Sequence, residues 1–521
     1  MIMGTKTYDS ATDMITFSRA SGGTALRKVS YGNELVTNGT FTGTGNVTGW
    51  TLDGDAINNN GVNVFDVTAG ASTNVLATQT IALTIGGVYQ MSFERLAGTV
   101  SCSVSAAGAG LPTSYSDVIG VETRTFVATA SSALFLINSG SGSTTVIVDN
   151  VSVKEVTFDQ ADGALELFNH PDNIPRIEYD ATGAVKGLLI EEARTNLLTY
   201  SEDFTNAAWT KAGLTVSSGI SSPIGTSFRV IPNVTTTANF VELYSNPASV
   251  TSGVTYTTGY LLKAGELRYA QIIASTASYS VFCVNFDLQE GVVSFNQFST
   301  PAGVIDMGDG WFYCWATATS IATHSTGRMA LNMVDTGTSP RAAAKTFSGS
   351  DGLYVAYAQH EVGSFPTSYI PTTGASATRA ADVATIPTSA FGYNSDAGSV
   401  LVEAQSFGTN NYPRSVMIDA GSENNSIGLG AWGTSTYLNG YIVSGGVVQA
   451  AIGTGSAGTS AFKNSLAYKE NDFAASRDGL AVVTDTSGVV PTGLTTLRIG
   501  RNGNTTQFFN GHIKSIQYYP R

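Results

Sequence analysis

Charge is scarce in this sequence. Asp, Glu, Lys and Arg make up 12% of its 521 residues, about half the share of an ordinary soluble chain. Solvent-facing amphipathic helices, which need a charged outer face, are therefore not its building material. Basic residues are the scarcer kind: 26 Lys and Arg against 39 Asp and Glu leave a formal net charge of -13, and no basic tract interrupts that balance. A phosphate backbone or an anionic membrane surface is repelled by such a chain, which excludes nucleic-acid and membrane-surface binding from its expected roles. Cysteine is almost absent. Cys102, Cys283 and Cys314 are widely spaced and odd in number with no CxxC pair, which excludes a disulfide framework and zinc or redox chemistry. They are expected to be small buried hydrophobes in a protein folded in a reducing cytoplasm. No apolar run approaches the roughly 18 residues of a membrane span, and the N-terminus MIMGTKTYDSATDMITFSRASGG lacks a basic region followed by an apolar one. Neither membrane insertion nor signal-directed export is expected.

What the chain has instead is 57 Gly, with abundant Thr, Ser and Asn. Gly, Asn and Asp supply the positive-φ positions of tight turns, and Thr and Val suit a half-buried pleated surface. Apolar residues alternate with period two in TTVIVDNVSVKEV (144–156), YSVFCVNFDL (279–288), GWFYCWATAT (310–319) and SVLVEAQSF (399–407). Turn signals separate such runs in the rhythm of sandwiches and jelly rolls. The fold class is all-β, with tandem β-sandwich or jelly-roll domains, because a chain this long exceeds one core. The best helical candidate, GLLIEEARTNLL (187–198), reads equally as a strand and a loop.

Two segments read as diverged copies of one module. The first opens NELVTNGTFTGTGNVTGW (33–50) and closes IVDNVSVKEV (147–156); the second opens TNLLTYSEDFTNAAW (195–209) and closes YVAYAQHEVG (354–363). Each places a Phe (Phe41, Phe204) and then a Trp (Trp50, Trp209) after its opening strand, and a Glu (Glu155, Glu361) at its end. The resulting division is an N-terminal segment 1–32 without its own core, a first jelly roll 33–156, a connector 157–192, a second jelly roll 193–363, a Pro-, Ser- and Thr-rich linker 364–392, and a third sandwich 393–521.

Catalytic patterns are not found. His170, His324, His360 and His512 lie in no HExxH or nucleophile-elbow context. Glu191–Glu192 and Glu202–Asp203 are sequence neighbours, which on a strand point to opposite faces and cannot flank one glycosidic bond. Trp311, Tyr313 and Trp315 share one face of a strand, as a sugar-stacking platform or as a packed face, the second weighing more.

Four strings carry a resemblance: FSRASGGTALRKVSYG (17–32), IPRIEYDATGAVKGLLIEEARTNLLTYSEDFTNAAW (174–209), GSFPTSYIPTTGASATRAADV (363–383) and NGHIKSIQYYPR (510–521). They resemble a group of tailed-bacteriophage virion proteins, fibre or minor structural components. Residues 33–156 look like an inserted carbohydrate-binding jelly roll, and 393–521 resemble a concanavalin-A-like lectin or laminin-G sandwich. The resemblance implies a non-enzymatic virion protein, made in the host cytoplasm, that adheres to a host surface glycan as a tail fibre or receptor-binding component. Its partners would be other virion proteins, held through residues 1–32, with a homotrimeric assembly. The alternatives are a head-fibre or capsid decoration protein and a surface-glycan depolymerase. In the lectin-like module, Trp432, Tyr437 and Tyr441 are the expected carbohydrate contacts, set among Gly and Asn. No cofactor is expected beyond a structural calcium implied by jelly rolls of this type, held in the first module by Asn38 and Asp149.

Overall fold

The computed structural model describes residues 2–3, 6–7, 14–70, 75–105, 120–139, 145–237, 240–245, 250–325, 327–408, 414–431, 437–456, 458–503 and 507–521. Strands dominate, nearly all antiparallel, and the helical content among the described residues is a three-residue 3-10 turn, Thr388–Ala390. GLLIEEARTNLL resolves into a strand, Val185–Ile190, a bend, and a short strand, Arg194–Asn196. The chain forms two compact units: Arg27–Pro171, and Met1–Leu26 together with Asp172–Arg521. Three apolar cores lie within them.

The unit Arg27–Pro171 is a sandwich whose four-stranded sheet runs Val100–Ser105, Ser132–Ser139, Val75–Ala82, Thr51–Leu52. Its larger sheet centres on Val88–Ala97 and Thr145–Phe158. Side chains alternate inward and outward along these strands, and Phe41, Trp50, Phe65 and Phe135 fill the space between the sheets. Burying such rings is worth about 2–3 kcal/mol each.

The second jelly roll repeats this wiring. Its strands Trp209–Ala212, Gly225–Pro232, Glu242–Ser245, Thr255–Ala264, Tyr269–Ala274, Trp311–Thr319, Met329–Met333 and Leu353–Val362 pair in the same chain order. Three further strands, Cys283–Asp287, Val292–Asn296 and Ala302–Asp306, are added before the sixth. The hydrogen bonds repeat as well. Glu34 accepts the N–H of Val36 and Val153, as Asn196 accepts those of Leu198 and His360. Leu35 N–H donates to Val153 C=O, as Leu197 N–H does to His360 C=O. Each Trp indole, Trp50 and Trp209, donates to a carbonyl of its opening segment. The modular repeat is therefore real, but its closing glutamates do not coincide: the register pairs Glu155 with core Tyr89, whereas Tyr256, the equivalent core residue, faces Val362.

The C-terminal sandwich has a nine-stranded and a seven-stranded sheet around Ile190, Val402, Ile418, Leu429, Leu466 and Tyr518. Two expectations differ from this arrangement. Residues 16–26 do not form a separate segment, since Thr16–Ser18 pairs with Val383–Pro387 on the seven-stranded sheet. Residues 364–392 are not an extended spacer: Tyr369 stacks on Tyr357 at 3.8 Å, and Ile370 N–H donates to Gln359 Oε1. The segment covers the outer face of the sheet containing Leu353–Val362. Its Ser and Thr, which suggest a solvated linker, are used to satisfy buried polar groups.

Candidate functional site

Three of the four landmark strings meet at one place, and the fourth lies beside it where Asn510 accepts the N–H of Glu192. Arg19, Arg176 and Arg379 surround Glu191 and Asp382, with all five side chains at most 1% exposed. Arg176 bridges both carboxylates, at 2.9 Å to Glu191 and 2.5 Å to Asp382, and Arg19 reaches Asp382 at 3.2 Å. Asp382 also accepts the N–H of Glu191, and Glu191 accepts the N–H and hydroxyl of Ser368. Arg379 and Arg176 hold the Glu191 carboxyl at about 2 despite its burial. Three cations face two anions, and burial together with Arg176 pulls the Arg19 guanidinium down to about 10. The cluster ties the second jelly roll to the C-terminal sandwich. Glu191, held ionised and enclosed, is structural and not a proton donor.

A cleft of about 360 Å³ lies beside this region, lined by Glu178, Asp180, Lys186, Ile305, Asp306 and Met307 among others. Its carboxylates are committed elsewhere. Glu178, on the strand Ile177–Tyr179, is paired with His512 and Lys186, which hold its carboxyl at about 2. Asp180 accepts Thr182 and Ala184 N–H, and Asp306 accepts Gly308 N–H, so both serve turns.

A third feature is the outer face of the six-stranded sheet holding Glu242–Ser245, Met329–Met333, Tyr269–Ala274 and Cys283–Asp287. One row across it is polar and buried: Glu242, Asn332, Gln271 and Asn285 stand in register on neighbouring strands, and the three amides are hydrogen-bonded to one another and to the carbonyls of Gly337 and Ser339. The next row is aromatic and apolar, with half-buried Tyr244, Phe240 and Phe295 around Ile273, Cys283 and Ala330. Cations line it: Arg328 lies 3.7 Å over the Tyr244 ring and Arg341 4.8 Å over Phe240. Burial pushes the Glu242 carboxyl up, although Arg328 opposes the shift. The half-buried aromatic row with Arg328 and Arg341 is what this face leaves accessible, and partly exposed rings beside cationic donors suit the apolar face and hydroxyls of a pyranose ring. No sequence signal marked this face, because its members come from strands about 100 residues apart.

The residues singled out by sequence are placed as follows. Tyr441 is fully buried with Arg414 stacked 4.6 Å over it, so it is no exposed sugar contact. The glycines around it give it room, as Gly428 lies directly beneath its ring. Tyr437 opens the strand Tyr437–Ser444, and Trp432 lies outside the described residues. Trp311 and Tyr313 are 2% and 4% exposed, and Trp315 is half-buried, so that face is packed. The three cysteines are free and buried, as expected. His360 is buried against Tyr256 and pushed down to about 3 by burial, consistent with a neutral core residue. Asn38 uses its amide N–H groups on the carbonyls of Asn46 and Thr48. Asp149 lies across the ladder from Glu94, with Oδ1 buried and without a hydrogen-bond donor. A calcium ion takes about six to eight oxygens, and no group of three or more His, Cys, Asp or Glu suited to a metal occurs among the described residues. Asn38 and Asp149 do not by themselves fit that requirement.

No family model and no curated protein matches the chain. Among solved structures it is similar to the N-terminal CBM22-1–CBM22-2 tandem domain from Paenibacillus barcinonensis Xyn10C, at 13% identity over 64% of this chain and 98% of that one. The TM-score is 0.21, and the fold assignment rests on the strand order given above.

Proposed function

We propose that this protein is a non-enzymatic structural component of a bacteriophage particle, a tail fibre or receptor-binding protein that adheres to a host surface glycan. The observation that carries the adhesive part is the outer face of the second jelly roll, where half-buried Tyr244, Phe240 and Phe295 stand beside Arg328 and Arg341. The virion part rests on the resemblance of the four landmark strings, supported by the meeting of three of them in one buried ion cluster. Such a cluster makes a stiff joint between sandwiches, which suits a protein that transmits force between particle and cell. The acidic, low-charge composition fits a protein that does not act on nucleic acid.

The test is retention of the purified chain by surface polysaccharide from candidate host bacteria, with Tyr244→Ala and Arg328→Ala compared. Adhesion lost at least tenfold in both variants, with no new reducing ends released, supports the reading. Equal retention of variants and wild type moves the contact elsewhere. Release of reducing ends by the wild type makes the protein a depolymerase instead.

A further inference from the structure

One margin of the C-terminal sandwich is unlike the rest of the surface. The strand Val447–Ser456 ends the seven-stranded sheet and Val483–Asp485 ends the nine-stranded sheet. The two ends lie side by side, joined where Val489 N–H donates to Gln449 Oε1 at 3.2 Å. Along this margin Val447, Val448, Leu480, Val482, Val483 and Val489 are between 43% and 62% exposed. Leu480 to Val483 form an unbroken apolar run in solvent, which a soluble surface avoids unless it is used. The outer strand Val483–Asp485 is three residues long with Asp485 at its end, and no lysine or proline stands on it. The run is also held in place: Leu480 N–H donates to Arg477 C=O, Leu480 C=O accepts the Ser476 hydroxyl, and Asn471 brackets Gly488 through two hydrogen bonds.

We propose that this margin is the self-association surface of the protein and that its occupant is a second copy of the same chain. Three observations select that partner. Residues 479–497 carry one charged side chain, Asp485, in a chain of net charge -13, so this is a place where two like-charged copies meet with little repulsion. An open edge strand presents unpaired backbone donors and acceptors, which an identical edge strand complements. The aliphatic, ring-free surface offers no stacking or hydrogen-bonding groups for a sugar, so it is separate from the adhesive face on the second jelly roll.

The experiment is sedimentation velocity on the full chain at micromolar concentration, for wild type and for the pair Val447→Lys and Val482→Lys, made singly and together. Both positions are exposed, so an unchanged circular-dichroism spectrum and melting profile are expected. The wild type should sediment as an oligomer and the double variant as a monomer, with association weakened at least hundredfold. A Val483→Cys variant should cross-link between chains under mild oxidation, since the three native cysteines are buried. A monomeric wild type, or a folded double variant that stays oligomeric and a Val483→Cys chain that does not cross-link, overturns the proposal.

Discussion

Replacing Asp382 by Asn separates charge from shape in the buried cluster. The substituted side chain has nearly the same volume, so packing is preserved, but Arg19 at 3.2 Å, Arg176 at 2.5 Å and Arg379 at 4.0 Å lose the anion they share. Only Glu191 then faces three guanidinium groups, and an amide N–H is placed where a carboxylate accepted. An ion pair at 4 Å is worth about 4 kcal/mol at an effective dielectric constant of about 20, and relief of the carboxylate's own desolvation returns part of that. Breaking one side of a buried network costs about 3–5 kcal/mol, so Asp382→Asn should lose an amount in that range. The contrast is Arg19→Met. It removes the surplus cation and leaves two cations facing two anions, at the cost of the hydrogen bonds to Asp382 and to the Ser21 and Ile174 carbonyls, or about 1–3 kcal/mol once the relief of cation–cation repulsion is set against them. Urea unfolding of the full chain, followed by fluorescence and fitted to the transition of the unit Met1–Leu26 with Asp172–Arg521, measures both. If Arg19→Met costs as much as Asp382→Asn, or Asp382→Asn costs less than about 1 kcal/mol, charge balance does not govern this cluster.

Acid should weaken the same unit. Glu178 and Glu191 fall from 4.5 to about 2 on folding, so their stabilisation is complete above pH 4.5 and is lost as pH falls toward 2; melting temperatures across that window check it, and a flat profile counts against it. In the other unit, Glu34 accepts three backbone N–H groups and the Ser152 hydroxyl, so Glu34→Ala should cost about 2 kcal/mol in the transition of Arg27–Pro171 alone, as resolved by calorimetry. A Cβ on Gly428 would lie 2.4 Å from the Tyr441 ring, so Gly428→Ala should lower stability by about 1–3 kcal/mol through overpacking, readable by urea unfolding, and Gly428→Ser should do at least as much.

The sandwiches were legible in sequence because period-two alternation is local: Tyr89, Met91 and Phe93 point inward whatever they meet. The repeat was legible because Phe41 and Trp50, like Phe204 and Trp209, occupy the same corner between opening strand and core. Composition misled at 364–392. Pro, Ser and Thr describe a solvated spacer equally well as a segment that lays Tyr369 on Tyr357 and uses Thr367 to satisfy Glu361. The ion cluster was hidden for a different reason. Its arginines lie at 19, 176 and 379, and pairing across such separations is set by topology, not by any local pattern. Tyr441 was misplaced because glycine neighbours mark either an exposed turn or room for a buried ring, and here Gly428 provides the room.

The unit Arg27–Pro171 leaves its host and returns at neighbouring points. Arg19 and Asn173 exchange hydrogen bonds in both directions at 3.0 Å, and Arg176 donates to Thr24 C=O, so the flanks of the insertion are already fastened to each other by the host's own residues. Among the described residues, the host core and the ion cluster are built from the host's own side chains. A gene carrying this arrangement can accept, discard or trade a whole module at that point without redesigning the remainder, which makes it a site for recombination that leaves folding intact.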